Sequence, residues 1–145
     1  MNIVEVFTQN GQVIGAEWLA RAESVHRQLR PHMPKDYAAK MAGVLKDAHM
    51  ALAVESDAVL GLAVYRWHEN TFDDLKFYVD DLVVDEAHRS EGVGHALIAH
   101  LEKIARGLNA SGLVLDSGTH RTQAHKFYFR EGFVITSFNF KKSFS

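Results

Sequence analysis

The sequence predicts a fold of the α/β class, an α+β arrangement with one mixed sheet, in the order β-αα-βββ-α-β-α-β. Three features carry that reading. Two segments near the N-terminus have an apolar period close to 3.6, and three apolar runs of strand length follow them. In the second half a helical period lies between the last of these runs and one more, so a strand, a crossover helix and a strand occur in succession. Such a unit favours a local parallel pair, Phe77–Val84 beside Leu113–Leu115, inside the mixed sheet. At 145 residues the chain has the size of a single domain, taken as 1–145, able to bury a sizeable core.

Each element has a local reason. Residues 2–7 alternate as a short strand, closed by the polar Thr8-Gln9-Asn10-Gly11. Trp18, Ala22, Val25 and Leu29 space a helix over about Ala16–Arg30, which Pro31 and Pro34 end. Tyr37, Met41, Val44 and Leu45 mark a second helix over about Asp36–Lys46. Met50–Glu55 and Val59–Trp67, separated by Ser56-Asp57-Ala58, form a hairpin. The acidic link Thr71-Phe72-Asp73-Asp74 leads to a strand over Phe77–Val84. Leu97, Leu101, Ile104 and Leu108 define a helix over about Gly92–Gly107, with Gly107 suited to its C-terminal turn. Leu113–Leu115 is a short buried strand and Thr122–Arg130 a last helix. Phe133–Phe140 is expected as the closing strand; its phenylalanines either fill the core or serve a homodimer interface.

Composition narrows the function classes. A net charge of −2 gives no basic field for nucleic acid, so no such partner is expected. The absence of cysteine excludes a disulfide framework, a thiol nucleophile and a Cys-ligated zinc site. No apolar run reaches the length of a membrane span, and Met1–Phe7 lacks the basic start and apolar stretch of a signal peptide. A cytoplasmic protein without a membrane partner is therefore expected. The nine histidines show no His-Glu-x-x-His pattern, and His95 and His100 are off the spacing that shares a helix face, so no metal is expected. Asp116-Ser117-Gly118-x-His120 is not a hydrolase site, because Leu115 and Thr119 stand where a nucleophile elbow needs glycine.

The segment with the clearest chemistry is Val83-Val84-Asp85-Glu86-Ala87-His88-Arg89-Ser90-Glu91-Gly92-Val93-Gly94-His95. An apolar strand runs into a polar turn with Arg89, Gly92 and Gly94, then directly into an amphipathic helix. The first amides of a helix lack internal partners and sit at the positive end of its dipole. Glycine lets a phosphate approach the main chain, and an arginine adds donors. Geometry alone also allows a plain strand-to-helix turn. The dinucleotide fingerprint fails, since Leu97 occupies its third glycine, and the Gly-Lys-Ser/Thr of a P-loop is absent. A diphosphate other than that of NAD or ATP is what the turn suits.

Arg89-x-x-Gly92-x-Gly94 after Leu82-Val83-Val84 resembles the CoA-binding motif of the GCN5-related N-acetyltransferase (GNAT) family. Ala124-His125-Lys126-Phe127-Tyr128-Phe129-Arg130-Glu131-Gly132-Phe133 is similar to that family's Ala-x-x-Phe-Tyr-x-x-x-Gly-Phe signature. The two lie about thirty residues apart in the family's order, and the element order agrees over nearly the whole chain. Arg121 stands where the family often has asparagine, and Glu86 or Ala87 where it often has proline.

The resemblance implies a GNAT acyl-CoA N-acyltransferase fold, acetyl-CoA as co-substrate without a metal, and an amine acceptor on a small molecule or protein. It implies that the pyrophosphate is held by Arg89, Ser90, Glu91, Gly92, Val93, Gly94 and His95. The main chain of Leu82, Val83 and Val84 would pair with the pantetheine arm and polarise the thioester carbonyl, with Ala124 and Phe127 also on the cofactor side. Tyr128 would be the general acid for the departing thiolate; a core aromatic with its hydroxyl tied to the backbone is the alternative. An attacking amine must lose a proton, for which Asp80, Asp81, Glu69 and His120 are candidates. Related enzymes make Asp80 or Asp81 the first choice. As neighbours on a strand these two point to opposite faces unless a bulge intervenes. The acidic cluster Glu69, Asp73, Asp74, Asp80 and Asp81 hints at a cationic acceptor. Two readings stay open beside acetyl transfer: a longer acyl-CoA donor, and a non-catalytic CoA-binding or regulatory module of the same fold.

Overall fold

The computed structural model describes all of Met1–Ser145, whose contacts group into two compact units, Met1–Val114 and Leu115–Ser145. The elements are β1 (Asn2–Gln9), β2 (Gln12–Ile14), α1 (Leu19–Leu29), α2 (Tyr37–Val44), β3 (His49–Glu55), β4 (Ala58–Asn70), β5 (Asp74–Val84), α3 (Val93–Gly107), β6 (Leu113–Leu115) and α4 (Thr122–Arg130). The strands form one six-stranded mixed sheet in the order β2-β1-β3-β4-β5-β6.

Local chemistry sets the boundaries. Arg30 ends α1 at φ −124° and ψ 70°, outside the helical region, which is disfavoured for a residue before proline. Arg27 then holds the carbonyls of Met33 and Pro34 at 2.9 and 2.7 Å, fixing the link to α2. Asp36 caps α2 by accepting from the amide of Ala39 at 3.0 Å. The β4–β5 link turns where Asn70 accepts from the amide of Asp73 at 2.7 Å and Asp74 takes a left-handed conformation.

Alternation along β4 sorts the two faces of the sheet. Leu62 and Val64 join a core with Val6, Val25, Tyr37, Met41 and Leu45, on the side of α1 and α2. Gly61 faces the other way, toward Val93 at the start of α3. That helix buries Val93, Leu97, Ile98, Leu101 and Ala105, the stripe expected of an amphipathic helix on a sheet.

Three features differ from the sequence reading. The first strand turns back at Asn10-Gly11 to pair with β2, Phe7 opposite Ile14; the run Gln12–Ile14 is too short to read as a strand by itself. The expected helix start at Ala16 is a 3₁₀ turn over Ala16–Trp18, with α-helix beginning at Leu19. The closing strand over Phe133–Phe140 does not form. Phe133 still packs edge-on against Tyr128, with ring centroids 5.5 Å apart, but Val134, Ile135, Phe138 and Phe140 are 74–92% exposed. Period-two alternation gives a segment the capacity for a strand; a ladder also needs a neighbouring edge in register.

Candidate active site

The turn from β5 into α3 is held from both ends. Asp85 donates its amide to the carbonyl of Leu60 at 2.8 Å, and its carboxylate accepts from the amide of Ala87 at 3.3 Å. Gln28 of α1 donates to Asp85 at 3.0 Å while its own carbonyl accepts from the amide of Glu86 at 3.0 Å. Its hydrogen bond is the main reason that the Asp85 carboxyl titrates below its ordinary range. Beyond a 3₁₀ turn at Glu86–His88, Ser90 and Gly92 both take left-handed conformations, φ 65° and 82°. Gly92 is the N-cap of α3 and supplies no side-chain cap, and a Cβ built on it would meet nothing within 4 Å. The amides of Val93, Gly94 and His95 therefore begin a helix in a glycine-opened cradle, with Arg89 exposed beside them. This arrangement fits an anionic group of phosphate size.

Upstream, Leu82, Val83 and Val84 pair with Ala63, Leu62 and Gly61 of β4. Just before them the register slips: Val64 stands opposite Asp81, but Tyr65 stands opposite Val79. Asp80 is the extra residue of a bulge, so the two carboxylates need not alternate. Asp81 accepts from His26 at 2.7 Å and from Arg30 at 2.8 Å, both at the end of α1. Asp80 accepts from Arg66 of β4 at 2.7 Å, and Arg66 also binds Asp47 at 2.9 Å. Each carboxylate is thus matched by an arginine, and the local field is less acidic than the sequence suggests.

Burial by itself would raise the Asp81 carboxyl, but hydrogen bonds and charge from His26 and Arg30 hold it below its ordinary value. A folded value lower than the unfolded one stabilises the fold above the ordinary carboxyl range, and that stabilisation is lost as acid titrates the folded group. Asp81→Asn is expected to cost about 3 kcal/mol near neutral pH, a drop of about 10 °C in Tm. The gap from wild type should begin to narrow as pH falls below the ordinary aspartate value and go on closing as the folded group titrates, and melting curves from about pH 2 to 8 check both statements.

In the second unit, Tyr128 lies on α4 with only 9% of its surface exposed. Its ring makes edge contacts with Phe127 and Phe133, both at 5.5 Å between centroids. Burial pushes its phenol above the ordinary value, against the charge and hydrogen bond of Arg121, which pull it down. Tyr128 therefore stays protonated at neutral pH. Ala124 and Phe127 are half-buried on the same helix. His120 is exposed on the preceding loop, and Glu69 lies near the far end of β4.

Arg66 of β4 and four further contributors were outside the sequence reading. Gln28 and His26 lie on α1 and Arg30 caps its end, fifty or more residues from the carboxylates they bind, and nothing in their spacing announces it. Gly61 carried a weak signal, since glycine inside a strand marks a close approach. A Cβ there would stand 2.9 Å from both the Val83 carbonyl and the Val93 side chain.

The model of the acetyltransferase (GNAT) family matches residues 12–133. The chain is 29% identical over 102 residues to the aminoalkylphosphonate N-acetyltransferase of Salmonella typhimurium, a stretch covering 67% of this chain and 64% of that protein. It is also 29% identical over 130 residues to the uncharacterized N-acetyltransferase YhdJ of Bacillus subtilis, covering 87% and 91%. Among solved structures, aminoglycoside N-acetyltransferase AAC(6')-Iy in complex with CoA has the same fold, with a TM-score of 0.83 at 17% identity over 98% of this chain and 93% of that one. A glycine-opened helix start after a bulged strand, and a family match running from β2 to the end of α4, lead to one assignment: this chain belongs to the GNAT acetyltransferase family.

Proposed function

We propose that the chain is an acetyl-CoA-dependent N-acetyltransferase of the cytoplasm, moving an acetyl group to a primary amine of a small molecule or protein by direct attack. We take 1–145 as one catalytic domain, since the family match runs through both compact units. The observation that carries the reading is the cradle from Arg89 to His95, braced by Gln28 and Asp85 and opened by Gly92. Arg89, Ser90, Glu91, Gly92, Val93, Gly94 and His95 would hold the pyrophosphate. The main chain of Leu82, Val83 and Val84 would take the pantetheine arm, with Ala124 and Phe127 also on the cofactor side. A small-molecule amine as acceptor is supported by the names of two similar proteins, an aminoalkylphosphonate and an aminoglycoside acetyltransferase.

In this reading each residue has one task. A main-chain amide of β5 beyond the bulge polarises the thioester carbonyl and steadies the oxyanion as the amine adds, a donor worth about 3–4 kcal/mol. Tyr128 gives its proton to the departing thiolate, and Arg121 beside the hydroxyl favours the phenolate left behind. Asp80 takes the proton of the amine. It is preferred to Asp81, whose two oxygens are both engaged by α1 and whose lowered value makes a poor base. Asp80→Asn is expected to lower kcat/KM for the acceptor about a hundredfold and to change its dependence on pH. An unaltered profile would take Asp80 out of the mechanism.

The test of the whole reading is calorimetry with acetyl-CoA and CoA, followed by release of free CoA thiol over a panel of amines. Binding with turnover is expected. Binding without turnover on any amine would favour a non-catalytic CoA-binding module, and no heat of association with folded protein would remove both.

We propose also that the chain acts as a homodimer through the segment after α4. In an extended chain Val134, Thr136, Phe138 and Phe140 would share one side, and the three apolar ones are 74–92% exposed. Light scattering at about 100 µM should give twice the monomer mass, and Phe138→Lys with Phe140→Lys should halve it; a monomeric wild type would refute the interface.

A further inference from the structure

The bulge in β5 raises a mechanical problem. A bulge interrupts the ladder that would otherwise fix the strand, yet an electrostatic donor works only if it is held to within a fraction of an ångström. The interruption falls at Asp80, immediately before the main chain assigned to the thioester.

Side chains from α1 take the place of the missing ladder. The guanidinium of Arg30 donates from Nε to Asp81 Oδ1 at 2.8 Å, and its Nη2 stands 2.7 Å from the same oxygen as an ion pair. The same Nη2 reaches the main-chain carbonyl of Asp80 at 3.2 Å. One helical turn earlier, His26 donates from Nε2 to Asp81 Oδ2 at 2.7 Å. Both oxygens of Asp81 and the carbonyl of the bulged residue are thereby fixed from a single helix end. His26 is only 1% exposed. Its Nδ1 lies 2.8 Å from the hydroxyl of Tyr37 on α2, whose phenol burial keeps protonated and able to donate. The imidazole is then satisfied at both nitrogens and cannot swing away without stranding a polar atom. From the opposite side Arg66 holds the Asp80 carboxylate at 2.7 Å.

On the reading that β5 amides polarise the thioester, we infer that Arg30 and His26 are positioning residues for acetyl transfer. They hold the Asp80–Asp81 bulge so that the main chain from Leu82 onward meets the acetyl carbonyl in one geometry. Neither lies in the two motifs that mark the family, and neither needs to touch a substrate. Arginine suits the task because its planar fork spans a carboxylate and a carbonyl together, which a lysine ammonium does not do with fixed orientation.

Arg30 is the informative position, because half of its side chain is exposed and its replacement leaves the apolar core intact. Arg30→Gln is expected to lower kcat about thirtyfold while KM and the calorimetric Kd for acetyl-CoA stay within about twofold of wild type. Arg30→Lys should recover part of that loss, and His26→Gln should behave like Arg30→Gln where it folds. The infrared band of carbonyl-labelled acetyl-CoA, shifted to lower frequency on binding wild type, should move back toward its free position in Arg30→Gln. A wild-type kcat and an unmoved band in Arg30→Gln would overturn the inference, as would a lower Tm with unchanged kcat. Failure of wild type itself to bind acetyl-CoA is a separate result, which overturns the enzymatic reading and the clamp with it.

Discussion

Replacing Tyr128 by phenylalanine is expected to lower kcat by about 10²–10³-fold with little change in the KM for acetyl-CoA. Such a loss corresponds to about 3–4 kcal/mol of transition-state stabilisation. Binding should survive because the ring keeps its edge contacts with Phe127 and Phe133, and only the hydroxyl goes. Losing the hydrogen bond with Arg121 should cost about 1 kcal/mol of stability, a few degrees in Tm. The leaving group offers an internal control. A thiol of pKa about 8.5 departs with modest help, so a thioester of a more acidic thiol should narrow the gap between variant and wild type. On the alkaline side wild type should lose activity through this residue only where its phenol ionises, above the ordinary tyrosine value, since burial raises it. Thiol release measured from pH 6 to 9 with both donors checks this, and a variant with undiminished kcat would return Tyr128 to the status of a packing residue.

The second large effect is expected at Gly61, which lies in no motif. A Cβ added there would stand 2.9 Å from the Val83 carbonyl, 2.9 Å from Val93 Cγ1 and 3.3 Å from Val84 Cα. The carbonyl and the Cα belong to main chain in the β4–β5 ladder and cannot yield cheaply. Val93 is the first residue of α3, so the strain is relieved by displacing the helix start. Gly61→Val is expected to cost about 3 kcal/mol of stability and to weaken acetyl-CoA at least about tenfold, about 1.4 kcal/mol. Calorimetry and thermal melting measured on one preparation separate the two effects. A lower Tm with unchanged Kd would mean that the start of α3 does not hold the cofactor.

The fold was legible wherever one element reports its own periodicity. α3 and α4 run as their apolar spacing foretold, and the turn between Asp85 and Gly92 has the left-handed glycine that its composition requires. Legibility failed where an outcome depends on a partner distant in the chain. The run Phe133–Phe140 has strand alternation, yet it forms no ladder and stays exposed. Adjacent Asp80 and Asp81 looked like alternatives, one for each face, because strict alternation separates neighbours. A single extra residue in β5 relative to β4 removed that constraint.

The sequence by itself determined the family and the glycine-opened turn from β5 into α3. Both rest on short-range facts: which residues lack a Cβ, which amides open a helix, and how many residues separate two motifs. The partners of the carboxylates were decided only by tertiary structure. The register of β4 against β5 and the docking of α1 bring His26 and Arg30 onto Asp81, and Arg66 onto Asp80. Charge compensation is a matter of distances between elements far apart in the chain, and such distances exist only after the sheet has paired and the helix has packed on it.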